Sequence, residues 1–132
     1  MELELAVAST LIRVLSVTAA LLAWAGPASA MSLTFEWGPT GQCFDKKSPP
    51  VKLSDVPAKT MMLRFKLVDL DAPDYPHGGD TIPYAGNDSL PYGAFNYTGP
   101  CPPSPHTYRL SVEALDAGGK VLAKAEAKRR FP

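Results

Sequence analysis

The side chains of this 132-residue chain best suited to chemistry fall in two short strings. One is Asp69-Leu70-Asp71-Ala72-Pro73. The other is Gly99-Pro100-Cys101-Pro102-Pro103, followed closely by His106-Thr107-Tyr108. In extended chain, period two puts Asp69 and Asp71 on one side and Leu70 on the other. Such a pair could hold a cation, share a proton or accept hydrogen bonds from a ligand; it could equally be an end-of-strand turn, where Asp is common. His77 and His106 are the two histidines, each beside a proline or glycine segment. Imidazole can donate, accept or bind metal, and changes charge near neutral pH. The spacing of these Asp and His residues matches no zinc motif. Asp69-x-Asp71-x-x-Asp74 lacks the downstream acid of a calcium loop and is interrupted by Pro73. Neither a metal nor a cofactor is expected. Hydrolase, P-loop and dinucleotide motifs are missing, and Ser104 lies two residues from His106 with no evident orienting acid. The expected role is not enzymatic.

Proline fixes φ and removes a donor, so both strings are stiff and unsuited to a central strand. They must be held by the elements around them. Fourteen prolines and ten glycines argue against long helices. Between them run short alternating segments: Leu33, Phe35, Trp37; Leu63, Phe65, Leu67; and Tyr108, Leu110, Val112, Ala114. Each reads as a strand with one apolar face. Residues 121–131 carry both an alternating alanine pattern and helix-favouring composition. The turn Asp116-Ala117-Gly118-Gly119 before them favours a strand paired with residues 107–115. Residues 48–53 and 56–60 read as connections around a short edge strand, and another short strand is expected over residues 92–97. Residues 74–91 read as a long loop without periodicity, of the kind that is normally functional or mobile. The sum is an all-β, antiparallel sandwich with Greek-key connections and little helix.

Residues 1–30 read as a cleaved secretory leader. Arg13 precedes the uncharged run VLSVTAALLAW, and Ala28-Ser29-Ala30 offers the exit site. That run is too short for a comfortable membrane span, which needs about 20 apolar residues. One domain, residues 31–132, remains, in the periplasm or outside the cell, with no stable span after processing. Arg13, Glu2 and Glu4 fall in the leader, so the domain carries twelve basic and eleven acidic residues. That near-neutral balance offers no field for binding nucleic acid. Cys43 and Cys101 are an even pair in an oxidising compartment, which favours a disulfide over two free thiols. Closing so long a loop could add roughly 3–4 kcal/mol by the loop-entropy model.

In order and rough spacing, several strings between residues 43 and 116 resemble the phosphatidylethanolamine-binding protein family. They are Ser48-Pro49-Pro50, Val56-Pro57-Ala58-x-Thr60, Asp69-x-Asp71-Ala72-Pro73, Gly99-Pro100-Cys101-Pro102-Pro103, His106-x-Tyr108 and Ala114-Leu115-Asp116-Ala117. The resemblance implies a β-sandwich with a small anion pocket at one end. It would be built from Asp69, Asp71, Pro73, His77, Pro102, Pro103, His106 and Tyr108. It also implies a cis Ala72–Pro73 bond. The implied ligand is a small anion or a phospholipid head group of the phosphoethanolamine kind. The alternative is a protein-interaction or protease- or kinase-inhibitor-like module with a protein partner; a weak hydrolase ranks third. The chain departs from the family pattern at His77-Gly78-Gly79, where the family has His-Trp, and no counterpart of the family's C-terminal helix is expected within residues 31–132.

Overall fold

The computed structural model describes residues 30–132, so the expected leader lies outside the described residues except for Ala30. Seven strands and no helix make up the described chain: β1 (Ser32–Phe35), β2 (Val51–Ser54), β3 (Met62–Asp69), β4 (Gly79–Pro83), β5 (Ser89–Leu90), β6 (His106–Leu115) and β7 (Val121–Phe131). They form two antiparallel sheets, one of order β1-β2-β5 and one of order β4-β3-β6-β7. Alternation decides which face of each strand is buried. Leu63, Phe65 and Leu67 of β3 and Leu110 and Val112 of β6 are sealed from solvent, together with Leu33, Phe35, Val51 and Leu53 from the other sheet. Fully burying one such side chain stabilises by about 1.5–3 kcal/mol. The two sheets thus share one core, as the expected sandwich requires.

β6 and β7 form the expected hairpin. The Asp116 carboxylate accepts from the amides of Gly118 and Lys120, and Gly119 turns at φ 82°. From β4 the chain crosses to the other sheet as β5, then returns as β6 on the side of β3 away from β4.

Two local expectations need correction. Residues 92–97 form no strand beyond a single bridge between Lys47 and Asn96. Phe95 and Tyr97 do fill the core, and Phe95 stacks on Phe65 at 4.1 Å. But Gly93 takes φ 83°, and the segment bonds instead to the backbone and Oγ of Ser48 and to Lys46. Residues 74–91 are not one loop, since β4 and β5 lie inside them. β4 alternates only between exposed and half-buried, so it has no apolar stripe for a sequence to display. Among the described residues the one cis peptide bond is Phe131–Pro132, so Ala72–Pro73 is trans and not cis as expected.

Candidate functional site

The buried stripe of β3 runs Leu63, Phe65, Leu67 and then Asp69, which is 3% exposed. A carboxylate in that position must be fully hydrogen-bonded. The chain supplies three donors. His106 Nδ1 lies 2.6 Å from Asp69 Oδ2, and the amides of Asp71 and Ala72 donate to Oδ1 at 2.9 and 3.2 Å. Burial pushes the Asp69 carboxyl up, but the His106 and amide bonds outweigh it and hold it below the usual range. β6 places the partner. Asp69 and Tyr108 are opposite one another in the β3–β6 register, and His106 is two residues from Tyr108, so all three share a face. Asp71 points elsewhere: its Oδ2 accepts from the Thr107 amide at 2.7 Å and ties the end of β3 to the start of β6.

His77 precedes β4 and is 3% exposed. Its Nδ1 donates to the Thr98 carbonyl at 2.7 Å, and its own carbonyl accepts from the Thr98 amide. Its ring packs edge-on to Tyr108, with centroids 5.4 Å apart. Both histidines therefore commit Nδ1 to an oxygen acceptor of the protein, which leaves Nε2 as the nitrogen available to a ligand.

A cleft of about 120 Å³ opens between these groups, lined by Asp69, His77, His106, Tyr108, Pro102 and Pro103 of the expected set. Asp71 and Pro73 are outside the lining: Asp71 braces the start of β6, and Pro73 is exposed. Four further residues complete the wall: Phe44, Ala72, Tyr75 and Cys101. Phe44 and Tyr75 were not foreseen, because a single aromatic residue in a loop shows no periodicity. They stack at 6.0 Å and stay 43% and 44% exposed at the mouth. Phe44 holds φ 56°, an outlier for a bulky residue, next to the Cys43–Cys101 disulfide. That bridge, expected from the cysteine count, joins the 43–45 segment to the Gly99–Pro103 loop. Gly99 completes the join: its amide donates to the Asp45 carbonyl at 2.8 Å, and a Cβ there would lie 2.7 Å from that same oxygen.

Ligand atoms of Asp69, Asp71 and His106 lie within 4.8 Å of one another. A cation there would have to displace the His106–Asp69 hydrogen bond and compete with the Thr107 amide for Asp71. Burial first, then the Asp69 charge, raises the Tyr108 hydroxyl, which stays protonated as a potential donor. A larger hollow of about 380 Å³ lies over Arg64, Lys66, Asp80 and Glu113 on the outer face of the four-stranded sheet, but it holds no imidazole.

No family model matches the chain, and no curated protein matches it significantly. Solved structures do match. CT736 of Chlamydia trachomatis, a phosphatidylethanolamine-binding protein homologue, superimposes with a TM-score of 0.60 at 21% identity, covering 78% of this chain and 97% of its own. YbcL of Escherichia coli, a member of the mammalian phosphatidylethanolamine-binding protein family, gives 0.59 at 21% identity, covering 78% and 98%.

Proposed function

With the fold of the phosphatidylethanolamine-binding proteins as premise, we propose that this chain is a non-catalytic binding module for a small phosphate-type anion. The anion would be free or borne on a phospholipid head group. The observation that carries this is the pair of cleft-lining histidines, His77 buried and His106 half-buried, each with Nδ1 committed to the protein and Nε2 left for the cleft. Protonated, each imidazole adds a charge-assisted donor; the Tyr108 hydroxyl is a third donor. Volume sets the size of the guest. At about 120 Å³ the cleft is well below the roughly 300–1,000 Å³ of sites that enclose drug-sized ligands, so it suits a head group and not a whole lipid. The lining has no serine, threonine or lysine, and its one cysteine, Cys101, is in a disulfide. The names of the two structural neighbours point to the same ligand class. A periplasmic or extracellular location completes the proposal, supported by the leader-like residues 1–30 and by the disulfide.

Titrating the protein with phosphoethanolamine while following the histidine ring signals by NMR tests this. Both His77 and His106 should shift with one binding constant. Shifts confined to surface residues away from the cleft would refute it.

A further inference from the structure

We infer that β7 is a dimerisation edge, pairing antiparallel with β7 of a second copy of this chain about a two-fold axis at Ala125. Every sheet edge carries unpaired backbone groups, and proteins blunt them with short strands or proline. Three edges here are short: β1 has four residues, β5 two, and β4 five ending at Pro83. β7 is the long edge, with eleven residues and no proline, so charged side chains (Lys124, Glu126, Lys128, Arg129 and Arg130) are its one guard against pairing.

The backbone direction fixes which β7 residues offer their groups outward. Thr107 turns its amide to Asp71 and its carbonyl to Leu70, so it faces β3 and not β7. Its register partner Arg130 must therefore face away from β6, and the Arg130 carbonyl does accept from Trp37 Nε1 at 2.7 Å. Alternation makes Lys128, Glu126 and Lys124 face outward too, opposite Arg109, Ser111 and Glu113 in the register. Among the described residues, no hydrogen bond reaches the outward amides and carbonyls of these three. The span with no outward backbone bond is thus residues 121–129, with β1 packed against β7 and Arg129 Nε donating to the Phe35 carbonyl at its C-terminal end, and its midpoint is Ala125.

Charge then selects the register. With the axis at Ala125, Lys124 and Glu126, which already pair with Glu113 and Arg109 of β6, lie directly opposite Glu126 and Lys124 of the other copy, so the ion pairs extend across the interface. Ala123 and Ala127 meet on the other face, where the β7 alanines are only half-buried. An axis at Glu126 would set Glu126 against Glu126 and Lys124 against Lys128. An axis at Lys124 would set Lys124 against itself; one at Ala127 would pair Glu126 with Lys128 but set Lys124 against Arg130, whose carbonyl is already taken. Like charges directly opposite disfavour pairing. The Ala125 register is self-complementary, as a two-fold interface must be.

Sedimentation of the purified protein over a concentration series, with charge variants, tests this. Wild type should show a concentration-dependent dimer. Glu126→Lys alone and Lys124→Glu alone should each weaken it about tenfold or more, since every cross-pair becomes like-charged. Mixed one to one, the two variants should dimerise again, because all four facing charges are then opposite. A parallel measurement is independent of charge. The axis sets the two Ala125 residues as a non-hydrogen-bonded pair with Cα atoms about 4.5 Å apart, within disulfide range. Ala125→Cys should cross-link on mild oxidation, and Ala123→Cys should not. A wild type that stays monomeric throughout, a mixture that fails to associate, or equal cross-linking at 123 and 125 would each overturn the inference.

Discussion

Asp69 sits where the alternation of β3 asks for an apolar side chain, and its three donors are the reason a carboxylate is tolerated there. The His106 bond is charge-assisted when the imidazole is protonated, and such bonds contribute about 1.5–3 kcal/mol. His106→Ala should lower stability by about that amount in urea unfolding, because Asp69 is left buried with amide donors only. The pH dependence has a definite sign. The folded carboxyl is held below its ordinary value of 3.8. The unfolded chain therefore binds its proton first on acidification. The contribution is full above that ordinary value and is lost as pH falls through the lower folded one. Asp69→Asn should flatten that part of the stability-against-pH curve, measured by urea unfolding from pH 7 to pH 2. An unchanged acid limb would mean that other carboxylates carry it.

At the scale of elements, the cleft depends on the segments that the disulfide and Gly99 hold together. Cys43→Ser should lower the melting temperature, since removing a native disulfide from a small domain typically costs 2–5 kcal/mol. It should also weaken anion binding by releasing Phe44 and the Gly99–Pro103 loop; calorimetry on the folded variant checks this second effect. How much was legible follows from what each element buries. β3 and β6 show clean alternation because one face of each is sealed, and so the strands that carry Asp69, His106 and Tyr108 were readable. β4 has no sealed face, so no alternation marks it. Phe95 and Tyr97 misled in the opposite sense: they are buried from a turn bonded to Ser48, and burial alone does not make a strand. In the site, residue types named the histidines and Asp69. Only the three-dimensional packing showed that Asp71 braces Thr107 and that Phe44 and Tyr75 form the mouth.

On the scale of the whole molecule, a small β-sandwich is stiffened by one disulfide and keeps a small, mostly apolar cleft with two imidazoles at the end where β3 and β6 meet. Small domains have limited cores, and a bridge spanning 58 residues compensates for that. The disulfide fits export, for which the leader-like residues 1–30 are the sequence counterpart. N-terminal sequencing of the exported protein should begin at Met31; recovery of the intact leader in the cytosol would count against export. The central claim is that the two histidines form a phosphate-type anion site, and calorimetry with phosphoethanolamine on wild type and His106→Asn tests it most directly. The asparagine amide can still donate to Asp69, which preserves the buried pair while removing Nε2. The account predicts a single site in wild type and an affinity lower by roughly ten- to a hundredfold in the variant, the loss of one charge-assisted hydrogen bond. Equal affinity in the two folded proteins would contradict it.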